Sequence, residues 1–437
     1  VLEPFKIHIN NKLPFLKESK LLIAISGGID SIVLTHLCHK LNLNIALAHC
    51  NFNLRGKESD ADESFVLQLA EDLDLEAFIE SFDTKNYSKD SKLSTQMAAR
   101  KLRYDWFEEL ASQLQFDYVL TAHHADDNLE TFLINLSRGT GLDGLIGIPE
   151  VNDNIVRPLL PFSREVIETY AKANDFKWRE DSSNAFTKYL RNKLRHDIVP
   201  VLKEINPQLL QNFQNTLKNL NDTADIVEES IEDLLNRAIT TIENNQMVFK
   251  VEEFKKLSNQ KAYLFEVFKD YGFTEWNDIA DLLNAQSGKQ ILSSTHRLIK
   301  DREHFLLSEI TSETDEELII ISETDKQVRT GSGILFFDKT DTILVKNNHT
   351  IYVDKALLQY PLTVRTWKEG DLFYPIGMSG KKKLSKYFKD EKLSLLDKEN
   401  IRLLCSGEDI VWVIGKRADN RFKVNKNTKN ILKVELK

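Results

Sequence analysis

Two short segments of this chain carry residue types whose spacing could do chemistry. Ser26-Gly27-Gly28-Ile29-Asp30-Ser31 closes an apolar run and opens a helical pattern. Adjacent glycines permit positive φ and leave no Cβ between main-chain N–H groups and an anion. Ser31, at the start of a helix whose dipole adds attraction, completes a turn suited to phosphate. The turn lacks the lysine of a GxxxxGK[ST] loop. The second segment is Thr121-Ala122-His123-His124-Ala125-Asp126-Asp127-Asn128-Leu129-Glu130-Thr131. Asp127 and Glu130 stand i, i+3 on one helix face, where two carboxylates can hold Mg²⁺ or a substrate ammonium. The HHxDD order also allows a transition-metal site. Helix-dipole preference alone explains Asp126 and Asp127, but not the paired histidines.

Cations accompany both segments. Arg100 and Arg103 lie one turn apart in Ala99-Arg100-Lys101-Leu102-Arg103-Tyr104, and Arg191, Asn192 and Arg195 form a second row after Glu180-Asp181-Ser182-Ser183-Asn184. Such rows can neutralise ATP or departing pyrophosphate; solvated or salt-bridged helix faces have the same spacing. His49-Cys50-Asn51-Phe52-Asn53-Leu54-Arg55-Gly56 offers groups for a base, ribose or phosphate, with Arg55 before Gly56 a candidate phosphate contact; a hydrogen-bonded loop at a strand end is the more common reading of such a stretch taken alone.

The elements that must position these residues alternate β and α patterns, which predicts a doubly wound parallel α/β sheet. Strands are expected at 21–26, 44–50, 76–81 and 117–122, and helices at 30–42, 58–74, 93–114, 126–138, 163–173 and 187–204. Ligands of such sheets sit outside the carboxyl ends of the strands, and those ends fall at Ser26, at 49–51 and at 121–124. The Gly- and Pro-rich passage 139–162 reads as a loop suited to covering the site. The boundaries expected are a catalytic domain at 1–206, a helical domain at 207–309, a β-rich connector at 310–360 and a small basic α+β domain at 361–437.

Composition bounds the answer. The 437 residues are 41% hydrophobic and 29% charged, as in a soluble multidomain protein. No apolar stretch reaches membrane-span length, and VLEPFKIHIN has no signal-peptide architecture, so a cytoplasmic protein with no membrane partner is expected. Cys38, Cys50 and Cys405 form no CxxC pair, against a disulfide framework, a zinc ribbon or a Cys-ligated cluster. The net charge of −9 hides an asymmetry: residues 361–437 hold 18 Lys and Arg against 10 Asp and Glu. A basic module on an acidic body suits a grip on a polyanion; a merely Lys-rich surface is the alternative.

Taken in order, SGGIDS, AHCNFNLRGKESD, AARKLRY, TAHHADDNLET, RGTGL, RPLL and EDSSN…YLRNKLR resemble the PP-loop ATP pyrophosphatases, and among them the tRNA(Ile)-lysidine synthetases. Residues 363–424, with VRTWKEGDLFYPIG, KKKLSKYFKD and DIVWVIGKRADNRFKV, resemble that family's C-terminal module. The resemblance implies an ATP-dependent ligase joining L-lysine to C2 of the wobble cytidine in the CAU anticodon of tRNA(Ile). An adenylated cytidine is the intermediate, AMP and pyrophosphate are released, and decoding changes from AUG to AUA. It implies ATP on Ser26, Gly27, Gly28, Ile29, Asp30, Ser31, His49 and Asn51, with Mg²⁺ on Asp30. Catalytic roles fall on Asp30, Arg103, Asp127, Glu130 and Arg195, of which Asp127 and Glu130 would orient the lysine. The helical domain at 207–309, to which only the resemblance assigns tRNA contact, and Lys381, Lys382, Lys383, Lys386 and Arg417 would contact tRNA, and a homodimer is left open. Phe52 stands where the family commonly has His, and Asn128 where it has Gln. The competing readings are another PP-loop enzyme, such as a tRNA thiolase or an amide-forming synthetase, and a non-catalytic ATP- or tRNA-binding module.

Overall fold

In the computed structural model, which describes residues 1–180, 190–243, 246–310, 318–343, 347–378 and 380–437, the first apolar run becomes the centre of a parallel sheet. The strands are β1 (Leu21–Ala24), β2 (Ile45–Asn51), β3 (Ala77–Ser81), β4 (Tyr118–Leu120), β5 (Val151–Asn152) and β6 (Ile155–Val156), in the order β3-β2-β1-β4-β6-β5. All pairs are parallel except the β5–β6 hairpin. The helices are α1 (Leu2–Lys12), α2 (Ile29–Lys40), α3 (Lys57–Asp72), α4 (Thr84–Asp90), α5 (Thr95–Leu114), α6 (Ala125–Arg138), α7 (Arg164–Ala173), α8 (Leu190–Lys193), α9 (Val199–Ile205) and α10 (Leu209–Ala238). Leu21, Leu22 and Ile23 are fully buried because the sheet is covered on both faces. One layer holds α2, α3 and α7 through Ile32, Val33, Val66 and Ile167; the other holds α5 through Trp106, Phe107 and Ala111. The chain divides into two compact units, Val1–Glu228 and Glu229–Lys437.

The second unit corrects one expectation. Residues 207–309 are helical only in part: after α10 the chain forms a five-stranded antiparallel sheet, Ile239–Glu243, Gln246–Lys250, His304–Glu309, His296–Asp301 and Gln290–Leu292 in spatial order. The short helices Val251–Lys255, Gln260–Phe268 and Trp276–Asp281 pack on it over Phe249, Phe254, Phe268 and Phe305. Strands from 310–360 pair with strands from 361–437. Ile319–Ile321 lies beside Leu362–Thr366, and Gly333–Thr340 beside Ile431–Leu436. Within the expected β-rich connector, residues 311–317 and 344–346 lie outside the described residues. Among the described residues no helix is long and apolar enough to cross a membrane.

Candidate active site

The carboxyl ends of β1, β2 and β4 open into one cavity of about 990 Å³, lined by groups that include Ser26, Asp30, Ser31, His49, Arg103, His123, Asp127 and Arg195. The glycine turn divides its work. Gly27 takes φ +82°, with its carbonyl accepting the Arg179 N–H at 2.9 Å, whereas Gly28 is the extended N-cap of α2 at φ −73°. Ser31 Oγ donates to the Gly28 carbonyl at 2.8 Å, and Ser26 Oγ accepts the Gly28 N–H at 3.3 Å. The loop is thus cross-tied by its serines while the first turn of α2 points at the cavity.

Asp30, in that first turn, is paired with Arg164, a residue that no motif in the sequence singles out. Arg164 is the first residue of α7, whose N-terminus is held to α6: Asp126 accepts the Arg164 N–H at 2.8 Å and pairs with Lys203. Asp30 Oδ1 is buried without a hydrogen-bond partner, with His124 Nε2 3.8 Å away. One such carboxylate oxygen beside phosphate fits Mg²⁺, which takes one or two carboxylates and completes its shell with phosphate and water. Among the described residues no three His, Cys, Asp or Glu side chains converge as a metal cage.

The paired histidines have separate explanations. His124 caps α6: its Nδ1 accepts the Asp127 N–H at 3.4 Å while Asp127 Oδ2 accepts the His124 N–H at 3.2 Å. His123 stands 2.9 Å from Thr121 Oγ1, and burial pushes its pKa down to about 4, so it is neutral in the cavity wall. Glu130, only 1% exposed, lies beneath Arg195. Arg195 donates from Nε to Glu130 Oε1 at 2.6 Å, and from Nη2 to Glu130 Oε2 at 2.9 Å and Asp127 Oδ1 at 2.8 Å. Arg191 Nε approaches Glu130 at 3.4 Å. Burial raises the Glu130 pKa despite these cations. Burial also opposes the charge on Asp127, but His124 and Arg195 outweigh it and hold that carboxyl below its ordinary value. Arg195 sits in a five-residue π turn, Leu194–Ile198, a local widening that helices adopt at functional sites.

The other expected residues divide. His49 lines the cavity, its Nδ1 2.9 Å from the Ile25 carbonyl, and burial lowers its pKa. Asn51 is not in the cavity lining: it is 3% exposed, donates to Glu63 at 2.8 Å and accepts the Asn53 N–H at 3.1 Å, so it shapes the loop. Arg55 and Arg179 both pair with buried Asp62, at 2.8 and 2.9 Å. Asn128 is a structural tie, its Oδ1 accepting the Ile148 N–H at 2.7 Å. Residues 181–184 of the EDSSN motif lie outside the described residues. In the second unit Lys381, Lys383 and Lys386 are exposed. Lys382 is paired with Asp390 at 2.6 Å, and Arg417 faces Glu391 at 3.8 Å.

A PP-loop domain model matches residues 2–202, a TilS substrate binding domain 242–310 and a TilS substrate C-terminal domain 362–436. The chain is 38% identical to the tRNA(Ile)-lysidine synthase of Parabacteroides distasonis over 99% of both chains. The chain belongs to the tRNA(Ile)-lysidine synthase family. It is also 38% identical to the family's protein from Bacteroides thetaiotaomicron, over 97% of each chain, and 36% identical to that from Porphyromonas gingivalis, over 96% of each. Membership of the family makes the chain an ATP-dependent PP-loop ligase.

Proposed function

We propose that this cavity ligates L-lysine to C2 of the wobble cytidine in the CAU anticodon of tRNA(Ile), in two balanced steps. The C2 oxygen attacks the α-phosphorus of ATP, and the bond to the β-phosphate breaks to release pyrophosphate. The lysine ε-amine then attacks C2 and loses a proton as the C2–O bond breaks and AMP departs. The observation that carries this reading is one cavity joining a phosphate turn to Asp127 and to Arg195, the cation that covers buried Glu130: the turn suits the leaving pyrophosphate, and the two carboxylates suit an ammonium.

In this reading Asp30 Oδ1 would hold Mg²⁺, which would shield phosphate charge, and Arg103, which also lines the cavity, meets the phosphates. Arg195 occupies the carboxylates that the ammonium needs. Phosphate charge in the cavity competes for Arg195, and its departure frees Asp127 and Glu130 for lysine. The basic surface carrying Lys381, Lys383 and Lys386 takes tRNA backbone. The test follows pyrophosphate release with each substrate omitted. Release that requires tRNA(Ile) but proceeds without lysine fits adenylation first; release that requires lysine and proceeds without tRNA contradicts the reading.

A further inference from the structure

Arg103 is held in an unusual way for a cation at a phosphate site. Its guanidinium carbon lies 5.2 Å from the centroid of the Phe52 ring, and among the described residues no carboxylate forms an ion pair with it. Beside it, burial pushes the Cys50 thiol up to about 12 and lowers the His49 pKa, with Arg103 adding to the lowering at His49.

The ring is fixed independently of Arg103. Phe52 stacks on Phe82 with centroids 5.7 Å apart and planes at 20°, and Phe82 meets Trp106 edge-on at 6.2 Å. Trp106 follows Arg103 by one turn of α5, so the aromatic row closes on the helix that carries the cation. The loop under Phe52 is pinned by Asn53, at φ +51°, whose Nδ2 donates to Ser81 Oγ at 2.9 Å and to the Phe82 carbonyl at 3.2 Å. Asn51 accepts the Asn53 N–H, which gives that buried residue a role in the same arrangement.

A carboxylate partner would hold an arginine by occupying its donors. An aromatic face holds the guanidinium through its π surface and leaves the N–H groups at the edge free for an anion. We propose that Phe52 is a positioning residue for the reaction, holding the Arg103 guanidinium with its N–H edge available to the phosphates. The proposal rests on the reading of Arg103 as the cation that meets ATP.

The test compares Phe52→Leu, Phe52→Tyr and Phe52→His in the full chain with ATP, tRNA(Ile) and lysine. Losing the π face in Phe52→Leu should lower kcat for pyrophosphate release about 3- to 30-fold, the range set by one cation–π interaction, with lysine KM unchanged. Phe52→Tyr should restore kcat. Phe52→His should add an acid limb to the pH–rate profile, because an imidazolium repels Arg103. In an Arg103→Ala background, Phe52→Leu should cause no further loss of kcat. Full kcat in Phe52→Leu with impaired Arg103→Ala, or equal losses in both backgrounds, would overturn the positioning role alone. Unimpaired Arg103→Ala would overturn the reading of Arg103 itself. If Phe52→Leu does not fold, the pH profile of Phe52→His decides, and a profile without the new limb counts against the proposal.

Discussion

Replacing Glu130 by Gln separates a lysine site from a metal or nucleotide site. The substitution keeps the shape of a side chain that is 1% exposed and removes its charge. Glu130 now accepts two bonds from Arg195, at 2.6 and 2.9 Å, and an incoming ammonium would take that place. A hydrogen bond to a charged group contributes about 1.5–3 kcal/mol, so losing one should raise the lysine KM about 10- to 150-fold. The ATP KM should change by less than about threefold, since a tenfold change requires about 1.4 kcal/mol and Glu130 is bonded to Arg195 rather than to the glycine turn. Arg195 keeps Asp127 and its side chain is 34% exposed, so the stability loss should be about 1–2 kcal/mol, below that of a fully buried broken pair. Steady-state kinetics with each substrate varied in turn is the assay. Acid pH adds a second readout: burial raises the Glu130 pKa, so wild-type lysine affinity is full at high pH and falls as pH drops through that raised value. The variant should lack this limb. A larger rise in ATP KM than in lysine KM would refute the reasoning.

Three further outcomes are expected. A non-hydrolysable ATP analogue should tighten lysine binding in calorimetry by drawing Arg195 off the carboxylates, and Arg195→Ala should bind lysine equally with and without the analogue; no coupling in the wild type counts against the competition. Burial lowers both His36, stacked on Phe176 at 3.8 Å, and His123 to about 4. Unfolded imidazoles therefore bind protons below about pH 6.5 that the folded ones refuse, so the urea midpoint should fall from that pH to about 4, less steeply in His36→Phe. Charge reversal at Lys381, Lys383 and Lys386 should weaken tRNA binding and flatten its salt dependence by about 0.7–0.9 in log–log slope for each phosphate no longer neutralised. An unchanged slope in a filter-binding titration would make that surface incidental.

The parallel sheet was legible because its central strands are apolar runs between helices of clear period, and Ser26–Gly28 marks where the first one ends. The sheet in 239–309 was not. Leu298, Ile299 and Lys300 are buried in succession, as are Phe305, Leu306 and Leu307, so period-2 alternation is lost. Within the site, the helix-face spacing of Asp127 and Glu130 was readable, but their pairing with Arg195 spans 65 residues or more and belongs to tertiary structure. Arg164 was missed for the same reason, since Asp30 lies 134 residues away. The histidine pair could have been read as a cap: a residue able to accept at the N-cap, followed three positions later by Asp127, has the spacing of a capping box.

Mass analysis of the wobble nucleoside from tRNA(Ile) treated with the protein, ATP and lysine tests the central claim most directly. The account predicts a mass increase equal to one lysine less one water on that cytidine, dependent on ATP. An unchanged cytidine in a reaction that still releases pyrophosphate, or lysine found on another nucleotide, would contradict it.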